Sequence, residues 1–83
     1  MKLDVLYFAW VRERIGQGSE TIETEAATVS DLVDELCARD PRYQAAFADI
    51  AALCVAVDQE LCDFDAPLAN AREVAFFPPM TGG

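Results

Sequence analysis

One stretch limits what this chain can become more than any other. Thr28 is followed by Val29, Leu32, Val33, Leu36 and Cys37, which fall at i, i+3, i+4, i+7 and i+8. That spacing lays a single apolar stripe along a helix running from residue 29 to residue 39. Thr28 suits the N-cap, because its hydroxyl accepts a hydrogen bond from a free N–H of the first turn, and Asp31 stands in the capping-box position. A stripe of this kind must be buried against something, and the segments on both sides of it carry strand patterns.

Lys2 to Ala9 alternates, with Leu3, Val5 and Tyr7 on one face and Lys2, Asp4, Leu6 and Phe8 on the other. Gly16-Gln17-Gly18 marks a turn, and Ser19 to Thr24 reads as a second, more polar strand. Arg12 to Gly18 is expected to be the loose loop of that hairpin. Past the main helix, Asp40 reads as a new N-cap and Pro41 as a first helical residue, where its missing N–H costs nothing. Tyr43, Phe47 and Ile50 are spaced for a short second helix. Leu53 to Val57 reads as a buried strand, Asp58-Gln59-Glu60 as a turn and Leu61 to Phe64 as a short strand. Ala66 to Arg72 reads as a loop in which Leu68 plugs the core, and Glu73 to Phe77 is the last strand. The order β-β-α-(α)-β-β-β predicts an α+β fold. One main helix and a short second helix pack across one face of a mixed sheet, the β-grasp or ubiquitin-like architecture. First and last strands then lie parallel, side by side, at the centre of the sheet. The expected division is a domain over 1–77 and a flexible tail over 78–83.

Composition narrows the function. With 83 residues and 53% apolar content, a single packed domain is expected. No apolar run is long enough for a membrane span. Asp4 falls where a signal peptide has its apolar stretch, so a cytoplasmic protein is expected. Six basic residues against fifteen acidic ones leave a net charge of −9. This argues against nucleic acid and anionic membranes, which need a basic patch, and permits a basic protein partner. Cys37, Cys54 and Cys62 form no C-x-x-C and the chain has no histidine, so no metal site is expected. Cys37 and Cys54 read as small buried hydrophobes, while Cys62 is left open. Without histidine the commonest general base is missing, and no Gly-rich phosphate loop is present. Intrinsic catalysis is not expected.

The end of the chain stands out. Pro78 and Pro79 lack N–H groups, cannot continue a central strand and stiffen the exit. Met80 and Thr81 lead to Gly82 and Gly83, which have no Cβ and can thread where no other residue fits. Fully extended, residues 78–83 reach roughly 20 Å, far enough to carry a terminal carboxylate into another protein. If Leu3, Val5, Tyr7, Val74 and Phe76 face the helix, Phe8 and Phe77 face away from it. Leu6 and Leu61 then extend an apolar patch beside the exit, of the kind that marks a partner site.

These residues resemble the small, sulfur-carrier subunits of molybdopterin synthase. The likeness is carried by Val5-Leu6-Tyr7-Phe8-Ala9 with Val11-Arg12-Glu13, by Ala56-Val57-Asp58-Gln59, and by Phe64-Asp65-Ala66-Pro67-Leu68. Most specific is the closing run Glu73-Val74-Ala75-Phe76-Phe77-Pro78-Pro79-Met80-Thr81-Gly82-Gly83. The resemblance implies a non-catalytic subunit with no bound cofactor. ATP is used by a partner, an adenylyltransferase related to ubiquitin-activating enzymes, to activate Gly83. A sulfur donor protein then supplies persulfide sulfur, leaving a thiocarboxylate. The large subunit of molybdopterin synthase accepts the tail in a heterotetramer, and sulfur passes to cyclic pyranopterin monophosphate. Gly82 gives access. Phe8, Leu61 and Phe77 match apolar contact positions, with Pro78, Pro79, Met80 and Thr81 in the inserted segment. Arg12 reads equally as a partner contact or a solvated loop charge. The alternatives are a carrier for a tungsten pterin, thiamine or cysteine pathway, and a ubiquitin-like modifier or interaction module without sulfur chemistry.

Overall fold

Lys2–Tyr7 forms strand β1, and its burial follows the pleat. Leu3, Val5 and Tyr7 are buried, Lys2 and Asp4 are exposed, and Leu6 is half-buried. The computed structural model describes residues 1–79. Strands β2 (Ser19–Glu23), β3 (Cys54–Val57), β4 (Glu60–Cys62) and β5 (Glu73–Phe77) complete a five-stranded sheet in the order β2-β1-β5-β3-β4. β1 pairs parallel with β5 in the middle of the sheet, and the other pairings are antiparallel. Asp58 and Gln59 turn the β3–β4 hairpin with φ of 50° and 70°. Positive φ at both central residues matches the twist of the flanking strands. Asp58 Oδ1 also accepts the N–H groups of Arg72 (2.9 Å) and Glu73 (3.0 Å), which ties the hairpin to the start of β5.

Helix α1 (Ala9–Ile15) precedes β2, while α2 (Val29–Arg39) and α3 (Pro41–Ala46) cross between β2 and β3. α2 has the predicted bounds and cap: Thr28 Oγ1 accepts from the Asp31 N–H at 3.2 Å, and Val29, Leu32, Val33 and Leu36 are buried. Asp40 caps α3, its Oδ1 accepting from the Arg42 N–H at 2.9 Å, with Pro41 opening the helix. Leu68 is fully buried, as expected. The core centres on Phe76, whose ring lies 4.9 Å from Phe47, 6.2 Å from Tyr7 and 6.3 Å from Phe64.

Three expectations need correction. The loop expected over 12–18 is instead mostly helix α1. Val11 and Ile15, four residues apart, bury into the core, and Gly16 ends the helix at φ 92° with its N–H donating to the Arg12 carbonyl at 2.8 Å. Two turns supply too few apolar positions for the period to stand out. The second helix does not reach Ile50: Tyr43 and Phe47 are buried, but Ile50 begins a separate 3-10 helix and is exposed. The cysteine assignment also shifts. Cys54 is half-buried on the sheet face away from the helices, whereas Cys62 packs against the core. Val55, buried between Cys54 and Ala56, sets that parity.

One polar group holds the helical layer to the sheet edge. The Glu20 carboxylate accepts hydrogen bonds from the hydroxyls of Tyr7 (2.7 Å) and Tyr43 (2.5 Å), both of whose side chains are buried. Burial, and then the hydrogen bond to Glu20, push both phenols above the ordinary tyrosine value of 10.0. The fold thus favours the protonated phenols, while the unfolded chain releases them near pH 10. Above that pH the unfolded state binds fewer protons, so stability is complete below it and falls as pH rises. Tyr43→Phe is expected to cost about 1–2 kcal/mol in urea unfolding at neutral pH. The wild-type urea midpoint should fall as pH climbs past 10, with a shallower fall in Tyr7→Phe.

Candidate functional site

The register of the sheet assembles an apolar belt from distant parts of the chain. Ala75 pairs with Leu6 on one side and Ala56 on the other, and Ala56 pairs with Leu61. These four residues make one row across β1, β5, β3 and β4 on the face opposite the helices. The next row holds Cys54, paired with Phe77, and Phe8, whose N–H donates to the Phe76 carbonyl at 3.1 Å and carries the ladder one step past β1. Alanines occupy the middle of the belt and larger side chains its ends. Phe8 is 48% exposed and Leu61 73% exposed, as expected of side chains with no work in the core. Behind the belt, away from the exit, runs a polar row: Thr21 and Asp4, bonded side chain to side chain at 2.9 Å, then Glu73 and Asp58.

Because β1 and β5 are parallel, they end at the same edge of the sheet. Phe8 and the start of α1 therefore flank the point where the chain leaves β5. Phe77 and Pro78 are half-buried there and Pro79 is exposed. The predicted residues Met80, Thr81, Gly82 and Gly83 lie outside the described residues. Ala9 makes the bend from β1 into α1 with a left-handed φ of 54°.

Arg12 sits on α1, not on a loop, and is exposed. Its guanidinium lies over Gly18, where an added Cβ would stand 3.2 Å from Nε, so glycine makes room for that side chain. The sequence reading missed Trp10 and Arg14. They meet only because α1 is helical: four residues apart, the Arg14 guanidinium rests 4.4 Å from the centre of the Trp10 ring. The i, i+4 spacing was visible, but nothing marked the segment as a helix.

Other chemistry is sparse. Burial pushes the thiols of Cys37 and Cys62 up, with Asp34 adding to the effect at Cys37, so neither is an activated nucleophile. Among the described residues, no three His, Cys, Asp or Glu side chains are placed to hold a metal, and no helix is long and apolar enough to cross a membrane. Two shallow grooves, one lined by Glu23, Thr24, Glu25, Glu35 and Arg39 and the other by Asp58, Gln59, Arg72 and Glu73, lie at the sheet end opposite the exit. The arrangement is suited to docking beside the point where the chain leaves the sheet.

A mixed sheet crossed by helices on one face, with its last strand leaving beside an apolar belt, is the β-grasp of ubiquitin-like proteins. SAMP1 from Haloferax volcanii shares it with a TM-score of 0.78 and 26% identity, over 100% of both chains. The putative molybdopterin converting factor subunit 1 from Pyrococcus furiosus shares it with a TM-score of 0.72 and 28% identity, over 96% of this chain and 99% of that one. The ThiS family matches residues 5–83. The molybdopterin synthase sulfur carrier subunit of Escherichia coli (strain K12) is 42% identical over 81 residues, 98% of this chain and 99% of the relative. The chain belongs to the ThiS family, on the branch of the molybdopterin synthase sulfur carrier subunits.

Leu61 and Leu36 separate surface from core. Leu61→Ser is expected to change urea-unfolding stability by less than about 0.5 kcal/mol, whereas Leu36→Ala, at a fully buried position, should cost about 2–5 kcal/mol.

Proposed function

We propose that this chain carries sulfur for molybdopterin synthesis on the carboxyl group of Gly83. A carboxylate is a poor electrophile, so it must first gain a leaving group. In this reading its oxygen attacks the α-phosphorus of ATP within an adenylyltransferase partner, and pyrophosphate leaves. A persulfide sulfur from a donor protein then displaces AMP at the acyl carbon. A thiol cleaves the remaining S–S bond, leaving a thiocarboxylate. In the large subunit of molybdopterin synthase that sulfur attacks cyclic pyranopterin monophosphate, and water releases the chain with its carboxylate restored. Two such transfers build the dithiolene. The reacting thiocarboxylate needs a narrow, water-poor channel, which a Gly82-Gly83 thread suits.

The observation that carries this reading is the position of the belt. In a member of the carrier branch, Phe8, Phe77, Leu6 and Leu61 gather on the one sheet edge from which the chain departs. A body docked through that face delivers whatever follows Pro79 into the docked partner. Pro78, Pro79, Met80 and Thr81 serve as the lead-in. The three free thiols suit the reducing cytoplasm, where we place the carrier.

Incubation with ATP, the cognate adenylyltransferase and a persulfide donor should raise the intact mass by one sulfur-for-oxygen exchange. An unchanged mass would refute carrier chemistry. Gly83→Ala should lose most sulfur transfer, and Phe8→Asp or Leu61→Asp should weaken capture of the large subunit at least ~10-fold. A modifier would appear instead in isopeptide linkage to lysines of other proteins.

A further inference from the structure

The charge on this chain is unevenly spread. Arg12 and Arg14 against Glu13 leave residues 8–18 slightly positive, while the remainder holds four basic against fourteen acidic residues. Residues 8–18 include α1, which flanks the exit. Of the other cations, Arg39 pairs with Glu35 at 3.3 Å and Arg42 lies 3.8 Å from Asp40. Lys2 and Arg72 are exposed at the opposite end of the sheet, at the starts of β1 and β5. Among the described residues, neither Arg12 nor Arg14 has an ion-pair partner. Arg12 lies against Gly18, and Arg14 rests over the ring of Trp10. A guanidinium lying over a ring still has N–H donors at its edge, in the fork that matches a carboxylate. Pinning it beforehand removes much of the entropy cost of using it.

We infer that Arg12 and the Trp10–Arg14 pair form a cationic rim on α1 beside the docking face and take an acidic segment of the large subunit, next to the mouth that receives the tail. The inference rests on the proposed function and adds the orientation of docking. At the exit end α1 brings the cationic rim beside the apolar belt, and beyond the belt lies the acidic row of Asp4, Glu73 and Asp58. A partner surface with the opposite order, acidic then apolar then basic, fits in one direction only. The reversed pose sets like charges against each other at both ends, which costs far more than the correct pose gains. The carrier's excess negative charge speeds the encounter, and the rim selects the orientation that brings the tail to the channel.

Two double variants isolate the rim from net charge. Arg12→Glu with Arg14→Glu reverses the rim, and Lys2→Glu with Arg72→Glu makes the same change at the far end. Each exchanges two positive charges for two negative ones, taking the chain from −9 to −13. Binding of the purified cognate large subunit is measured by surface-immobilised kinetics at low and moderate salt, and folding is checked by urea unfolding. The rim variant should lose at least ~10-fold in affinity, and the far-end variant should lose less than ~3-fold. The milder Arg14→Gln should fall between wild type and the rim variant. Equal losses in the two double variants would overturn the rim and leave the arginines as complements to the C-terminal end of α1. A wild-type chain that fails to bind the large subunit would instead overturn the function on which the inference rests.

Discussion

The parallel pairing of β1 with β5 is the constraint from which the rest follows. It joins the two ends of the described chain at the centre of the sheet, through the register Asp4–Glu73, Val5–Val74, Leu6–Ala75 and Tyr7–Phe76. One side of that seam is the core: Val5, Tyr7, Val74 and Phe76 are all buried beneath the helices. The other side is the middle of the apolar belt. Parallel strands cannot be joined by a tight turn, so everything between residues 8 and 72 serves as the crossover that closes this pair. Much of the core is built by that crossover: α2 supplies the buried stripe, and Phe47, Phe64 and Leu68 fill in around Phe76.

What was legible in the sequence was whatever local rules decide alone. The caps of α2 and α3 depend on residues within a few positions of each other, and both hold as read. The strand parities of β1 and β5 follow from a period of two and place Phe8 and Phe77 correctly. The lost features depend on tertiary context. α1 has only Val11 and Ile15 to declare its helical period, and Gly16 reads equally as a hairpin turn or a helix end. Cys54 looks buried in an apolar run, but that run is apolar on both faces for different reasons, one for the core and one for the belt. Trp10 and Arg14 escaped notice because their contact exists only once the helix does. The candidate site was thus half visible: its apolar members came from strands, its cationic members from the missed helix.

The exposed face has to stay apolar without drawing copies of the chain together. Its middle is lined by Ala56 and Ala75, so it offers little area without a partner that projects into it. The net charge of −9 repels a second copy. Leu61 lies on β4, a three-residue edge strand, and a short edge gives another chain little ladder to extend. On the opposite edge, Glu23 of β2 is exposed and puts a charge beside the edge a second copy would have to pair with.

Core and apolar belt share β5 residue by residue, so register sets both. Val74 and Phe76 face inward, Ala75 and Phe77 outward. A slip by one residue would drive Ala75 and Phe77 into the core and expose Phe76, so it would ruin the core and the belt together. The fold guards against this at the start of the strand. The Asp58 carboxylate takes the N–H groups of Arg72 and Glu73, and the Asp4 N–H donates to the Arg72 carbonyl at 2.9 Å. These contacts fix where β5 begins, and four residues later they fix which way Phe77 faces and where the chain leaves the sheet. The hairpin turn at Asp58, at the far end of the molecule from the exit, is therefore part of how the exit is aimed.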